Sequence, residues 1–369
     1  MRKLSDTLAR LRRLPGGLPQ SVPASTRLHP FNHGLPNPGQ LKAWIYVPQS
    51  ASPGAPLVVV LHGCTQNVVG YDQSSGWSRL ADLHGFVLLY PEQQRSNNPN
   101  LCFNWFSVDD VTRGKGEARS IREMVAAVQA QHGTDPRRVF VTGLSAGGAM
   151  AAAMLATYPD VFAGGAVVAG LPFGVARSVP QAFDRMRGHG QPHPRALSDL
   201  VRSASSHTGG WPILSVWHGS ADQTVDQSNS FALVEQWRAL HGASEVPGET
   251  DLVHGYPHRV WRDRNGRDVI EEYSITGLSH GAPLDTRGSC HGEQAAPFMI
   301  DAGISSTRHI ARFWGIVPDQ ADDRCPAARM SQSEMTASSP QPTEPAPWSG
   351  HAGVQKTIED ALRNAGLMK

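Results

Sequence analysis

The sequence predicts an α/β protein built on a mostly parallel, doubly wound sheet with helices on both faces. Three observations carry this reading. Short, continuously apolar runs recur, as at 56–61 (PLVVVL) and 86–90 (FVLLY), and such runs suit strands covered on both faces. Segments with helical spacing separate them, so that strand and helix alternate along the chain. One run, 139–142, breaks into Gly143-Leu144-Ser145-Ala146-Gly147 and then a row of small residues, which is how a strand turns sharply into a helix.

Composition bounds the rest. With 40% hydrophobic and 18% charged residues the 369-residue chain reads as a soluble globular protein, long enough for one large domain with appendages. No apolar run approaches the roughly 18 residues of a membrane span. A net charge of +1 leaves no electrostatic footprint for nucleic acid. The 37 glycines and 28 prolines point to many loops on a fixed scaffold, where function would sit.

Residues 1–20 carry Arg2, Arg10, Arg12 and Arg13 without the apolar core of a secretory leader, and read as a short basic amphipathic helix. A cytoplasmic location is therefore expected, with an extracellular one as the alternative. A Pro-rich lead-in runs to residue 40, and the main domain is expected over 41–316. Within it, 41–47 alternates like an early strand near a sheet edge. The run 56–61 ends in His62-Gly63-Cys64-Thr65-Gln66. Residues 77–84 read as a helix stopped by Gly85, and 86–90 as a buried strand.

Residues 91–116 form an irregular insertion, too long for a plain connection, that carries Cys102, Phe103, Trp105 and Phe106. The segment 117–131 puts Ile121, Met124, Val125 and Val128 on one helical face. After the strand at 139–142 and a helix over 149–155, residues 162–169 read as the next strand. The stretch 171–211 is weakly periodic and is expected to be a cap. Residues 213–218 read as a strand and 230–240 as a helix. The turn at Asn265-Gly266 predicts a hairpin of 259–261 with 269–276. A helix over 300–314 is expected to close the domain. A Pro/Ser/Ala-rich linker over 317–353 and an amphipathic helix over 354–369 follow.

Three strand ends carry polar residues in the order Ser145, Asp222, His280. Serine is a poor nucleophile at neutral pH; it needs a base within hydrogen-bond reach, and the base needs an anion on its far nitrogen. Ser, then acid, then His is the order used by α/β-hydrolases, and in a doubly wound sheet functional groups gather at the carboxyl ends of strands. Asp226 competes with Asp222, but its place suits the start of the following helix. His218 ends a buried strand and suits packing or loop orientation, and His62 lies in a motif with its own explanation. Acyl transfer also needs donors aimed at an oxyanion: the backbone N–H of Ala146 supplies one, and that of Cys64, after Gly63, is the candidate for the second. Cys64 is either a small buried thiol or the partner of Cys102 in a disulfide. Trp105 and Phe106 either line an acyl or aromatic pocket or pack under their own loop. Four cysteines without C-x-x-C spacing, and Cys290-His291 without further spaced ligands, argue against a metal site. No cofactor is expected.

The segments PLVVVLHGCTQN, FVLLYPEQ, CFNWF, GEARSIREMV, DPRRVFVTGLSAGGAMAA, YPDVFAGGAVVAGLPFG and PILSVWHGSADQTV together resemble the poly(3-hydroxybutyrate) depolymerase-like esterases, relatives of feruloyl and acetylxylan esterases. The resemblance runs from about residue 41 to 316. It implies an α/β-hydrolase with Ser145 as nucleophile, Asp222 as acid and His280 as base, and it suggests that Cys64 belongs to the oxyanion loop. Secreted polymer-degrading members carry a leader and a polymer-binding domain. The composition of the two ends here favours soluble short-chain hydroxyacyl esters as substrate, with feruloyl or acetyl esters of carbohydrates as the alternative. A serine peptidase and a non-catalytic binding protein on the same scaffold are the remaining readings.

Overall fold

A computed structural model describes residues 26–32, 34–287 and 292–318. The basic N-terminal helix, most of the linker, the C-terminal helix, Cys290, His291 and Cys325 lie outside the described residues.

Ten strands form one sheet in the order β1-β2-β4-β3-β5-β6-β7-β10-β9-β8. They are β1 (His29–Pro30), β2 (Lys42–Tyr46), β3 (Leu57–Leu61), β4 (Val87–Glu92), β5 (Val139–Leu144), β6 (Gly164–Val168), β7 (Ile213–Gly219), β8 (Glu249–Val253), β9 (Tyr256–Arg262) and β10 (Asp268–Ile275). The six strands β4, β3, β5, β6, β7 and β10 are mutually parallel, and the two edges are antiparallel. The chain steps from β3 to β4 on one side and then to β5 on the other, so a topological switch lies between β3 and β5. Crevices at such switches are where open α/β sheets bind ligands.

The continuous apolar runs are explained by cover on both faces. Leu57, Val59 and Leu61 of β3 join one core cluster with Ile121, Met124, Val125 and Val128, while Val58 and Val60 join the other with Trp77 and Leu80. The first cluster belongs to helices packed on one face, α4 (Gly116–His132), α5 (Ala146–Thr157) and α8 (Ser228–His241). The second lies under α2 (Trp77–His84) and α9 (Ser306–Phe313), where Trp314 stacks on Phe140 at 4.9 Å and on Trp77 at 6.0 Å.

The expected helix over 300–314 needs correction. Met299–Asp301 forms a short strand, β12, paired in parallel with β11 (Ala282–Leu284). Gly303, at φ +66°, breaks the chain, and Ser305 then caps α9 by accepting from the Arg308 N–H. The cap segment contains two helices, α6 (Val179–Met186) and α7 (Pro194–Arg202). Further helices the sequence did not suggest are α1 (Val68–Ser75), capped by the Asn67 side chain, and the single turn α3 (Val108–Val111).

Two contacts order the long insertion. Cys102 is disulfide-bonded to Cys64, closing a 38-residue separation. Buried Glu117, in the first turn of α4, accepts hydrogen bonds from Gln93 Nε2 (2.6 Å), Asn104 Nδ2 (2.8 Å) and the Asn104 backbone N–H (2.9 Å). Burial and the neighbouring Asp110 carboxylate push the Glu117 carboxyl up to about 8 against the pull of these donors.

The folded chain thus holds the Glu117 proton more tightly than the unfolded chain, whose carboxyl keeps its ordinary value of 4.5. The stability this group contributes is full below that value and is lost as pH rises through about 8. Melting temperature should accordingly show a declining component over this range, which Glu117→Gln should flatten; an unaltered profile in the variant would contradict the assignment. The double substitution Cys64→Ser, Cys102→Ser removes a constraint worth about 3–4 kcal/mol of chain entropy and should lower the melting temperature by roughly 5–10 °C. Wild type heated with reductant should match it.

Candidate active site

The site grows from the tight junction of β5 and α5. Ser145 sits between them at φ 57° and ψ −118°, a conformation that a side chain adopts only where its surroundings hold it. Glycine is required on both sides of it. A Cβ on Gly143 would lie 2.3 Å from the Gly147 carbonyl carbon, and one on Gly147 would lie 2.4 Å from the Leu61 oxygen and 2.5 Å from the His62 oxygen. The start of α5 therefore rests directly on the end of β3. Ser145 is presented on this ledge, with its own N–H bonded to the Val168 oxygen of β6 at 2.9 Å.

The two other strand ends converge on it. His280 Nε2 lies 2.9 Å from Ser145 Oγ, and His280 Nδ1 lies 2.7 Å from Asp222 Oδ2. The Asp222 side chain is fully buried, and its second oxygen accepts the backbone N–H groups of Thr224 (2.8 Å) and Val225 (2.9 Å). Burial alone would raise this carboxyl; the hydrogen bond and charge of His280, the nearby His218 and the Val225 N–H hold it below its ordinary value. Asp222 is thus an anion set to orient the imidazole.

The loops that carry Asp222 and His280 are latched to each other. Ser220 N–H bonds the Ile275 oxygen, Ala221 N–H the Leu278 oxygen, and Gly277 N–H the Ser220 hydroxyl at 2.9 Å. A side chain at Gly219 would strike the Leu278 oxygen at 2.2 Å. Asp226 stands apart: its carboxylate accepts the Ser228 N–H at the start of α8. His218 donates from Nε2 to the Val225 oxygen at 2.8 Å, orienting the Asp222 loop, and burial holds its pKa down.

Cys64 lies on the loop after β3, and Ala146 is the first residue of α5. The Cys64 N–H has no acceptor among the described residues, and the first N–H of a helix has no partner within it. Both groups, with Gly63, Ser145 and His280, line a cavity of about 170 Å³. Helix α5 directs its positive end at the same place. A carbonyl carbon next to Ser145 Oγ would have a base within reach of the hydroxyl, with two N–H groups that have no acceptor among the described residues on the lining of the same cavity.

The rest of the cavity is mostly apolar, with Thr65, Gln66, Asn98, Asn100 and Thr224 as its polar lining residues. Trp105 and Phe106 both line it, meeting edge to face at 5.6 Å, and so do Leu171, Ala182, Phe183 and Met186. Sequence reading missed the cap residues. Their signal was present: Val179, Ala182, Phe183 and Met186 recur at i, i+3, i+4 and i+7, the stripe of an amphipathic helix, after Ser178 as N-cap and Pro180 in the first turn. Among the described residues no three His, Cys, Asp or Glu side chains gather as metal ligands, and no helix is long and apolar enough to cross a membrane.

Residues 41–252 match the family described as esterase PHB depolymerase. The chain is 45% identical over 299 residues to the poly(3-hydroxyalkanoate) depolymerase C of Paucimonas lemoignei, covering 80% of this chain and 71% of that one. It is 30% identical over 258 residues to the feruloyl esterase B of Talaromyces stipitatus, covering 68% and 70%. Among solved structures, the acetyl xylan esterase from Aspergillus awamori superposes with a TM-score of 0.67 at 25% identity, over 79% of this chain and 99% of that one. The chain belongs to the PHB depolymerase family of esterases and is a serine carboxylic ester hydrolase of the α/β-hydrolase fold.

Proposed function

We propose that this esterase hydrolyses esters of short-chain hydroxyacids through an acyl-enzyme formed on Ser145. The observation that carries the reading is the hydrogen-bonded chain Ser145–His280–Asp222 opening onto a cavity whose lining includes no Asp, Glu, Lys or Arg.

Ser145 Oγ attacks the ester carbonyl carbon while its proton passes to His280 Nε2. Asp222 keeps the other ring nitrogen protonated and stabilises the imidazolium that forms. The Cys64 and Ala146 N–H groups donate hydrogen bonds to the carbonyl oxygen as negative charge develops on it. Collapse expels the alcohol, which takes the proton from His280, and water repeats the sequence on the acyl-enzyme. None of these steps requires a cofactor.

A cavity of about 170 Å³ exceeds what an acetyl group needs and is of the order of the ~150 Å³ void that accommodates benzene. An uncharged acyl chain of several carbons fits it. The relative that acts on poly(3-hydroxyalkanoate) supports a hydroxyacyl ester, as oligomer or small ester. The Trp105–Phe106 wall favours one second reading, an aromatic acyl group such as feruloyl. Acetylated carbohydrate, the other alternative from the sequence, leaves most of the cavity unused. The Cys64–Cys102 bond supports an oxidising, extracellular location in place of the cytoplasmic one expected from the N-terminal residues.

Ser145→Ala should abolish turnover of p-nitrophenyl butyrate and labelling by a fluorophosphonate probe without lowering the melting temperature; retained turnover would sink the reading. Asp222→Asn should lower kcat by about 10⁴-fold, because the wrong imidazole tautomer faces the serine. On a panel of hydroxybutyrate oligomers, methyl ferulate and acetylated xylan, kcat/KM should be highest for the oligomers. Preference for methyl ferulate would select the second reading.

A further inference from the structure

The cap helix α6 supplies one wall of the cavity through Phe183 and Met186, and a residue that the reaction above does not use is bonded to its end. Asn229, in the first turn of α8, is fully buried. Its Nδ2 lies 3.0 Å from the Arg185 oxygen, at the end of α6, and 3.0 Å from the Asp226 oxygen, on the loop that follows Asp222. Both are backbone carbonyls, which only accept, so the amino group must face them and Oδ1 must face away. There it accepts from Gln191 Nε2 at 2.6 Å, in the chain between α6 and α7. One amide thus joins the cap at two points to the loop of the acid.

Further contacts gather at the same end of the helix. The Asp226 N–H donates to the Met186 oxygen at 2.7 Å. A Cβ on Gly188, at φ +78°, would lie 2.7 Å from Ser228 Oγ, so the chain leaving α6 rests on the start of α8. At the other end, among the described residues, the hydrogen bonds stay within the cap: Ser178 Oγ accepts the Gln181 N–H, and Gln181 Oε1 accepts the Arg177 N–H. Helix α6 is therefore fastened to the domain at its Met186 end. The acid loop has holds of its own, because Asp222 Oδ1 accepts the Thr224 and Val225 N–H groups and His218 donates to the Val225 oxygen. Loss of the Asn229 amide would loosen the cap and leave the acid in place.

We propose that Asn229 is a positioning residue for acyl-chain selectivity: its amide ties the end of α6 to the loop that carries Asp222, and so holds Phe183 and Met186 against the acyl chain of the bound ester. This rests on the reading of the cavity as an acyl pocket and adds a residue that lies outside the cavity lining. An acetyl group is too short to gain from that wall, whereas a butyryl or hexanoyl chain reaches it. Contacts along the chain are made in the bound substrate as well as in the transition state, so their loss belongs in KM.

Asn229→Leu nearly keeps the shape, removes the donor and strands neither carbonyl: the Arg185 oxygen keeps the Gly188 N–H at 2.9 Å, and the Asp226 oxygen keeps the backbone N–H of residue 229 at 3.0 Å. On p-nitrophenyl butyrate and hexanoate it should raise KM by about 10-fold with kcat changed less than about threefold, the scale of a methylene that loses its apolar pocket. Both constants for p-nitrophenyl acetate should stay within about threefold of wild type, so that the butyrate-to-acetate ratio of kcat/KM falls by about 10-fold. A merely structural role would lower the melting temperature and leave this ratio alone. Gln191→Ala withdraws only the donor to Asn229 Oδ1 and should lower the ratio by about threefold; if Asn229→Leu does not fold, this variant decides alone, an unchanged ratio counting against the role. An unchanged ratio in folded Asn229→Leu, or a kcat that falls equally for acetate and butyrate, would overturn the proposal. Wild type without preference for butyrate over acetate would overturn the acyl-pocket reading and the proposal with it, so the two failures are distinguishable.

Discussion

The whole site depends on one close approach, that of the first turn of α5 to the end of β3. Gly147 lies so near the Leu61 and His62 oxygens that a single added carbon would force the elements apart. Because they touch, the serine at the junction is driven into a conformation it would otherwise avoid, and the first N–H of α5 comes beside the loop after β3. The strain is held by fully buried strands on either side, β3 and β6, whose alternate residues anchor both cores. Rigidity here keeps Cys64 and Ala146, from distant parts of the chain, on the lining of one cavity.

A second constraint holds the acid and the base. They follow β7 and β10, which are neighbours in the sheet and cross-braced well below the site. Ser215 donates to the buried Glu271 carboxylate at 2.5 Å and accepts from Trp217 Nε1 at 2.8 Å, while Trp217 stacks on Tyr273 at 3.8 Å. His258 of β9 stacks on the other side of this layer and lies 3.4 Å from Glu271. Asp222 and His280 thus emerge from strands whose separation is already set. The antiparallel edge beyond β10, of no direct use to the chemistry, keeps that brace away from water.

The recognition surface is made differently. One wall of the cavity is the insertion after β4, tied to the sheet by a disulfide and by buried Glu117; the other is α6 of the cap, laid over it. Neither wall belongs to the sheet. The disulfide reaches the cavity itself, since Cys64 and Cys102 both line it.

Much of this was written in local pattern. The parallel strands from β3 to β7 were visible because cover on both faces demands a largely apolar run, β10 because the Asn265-Gly266 turn precedes it, and the elbow because two close backbone approaches demand glycine at fixed spacing. The order Ser145, Asp222, His280 and the Gly63-Cys64 turn followed from the same grammar. The alternatives left open were those that only distance decides. Cys64 was either a small buried thiol or the partner of Cys102 until the fold put Cys102 beside it with Cα atoms 4.2 Å apart. Trp105 and Phe106 became cavity wall only once α6 lay opposite, and the stripe on α6 was too short a helix to stand out from its polar surroundings. The strand at 299–301 was read as helix because its partner, 282–284, is remote in sequence and pairing leaves no local trace. The contact of the Gln93 N–H with His62 Nε2 was invisible for the same reason: the two lie 31 residues apart, and only the pairing of β3 with β4 brings them together.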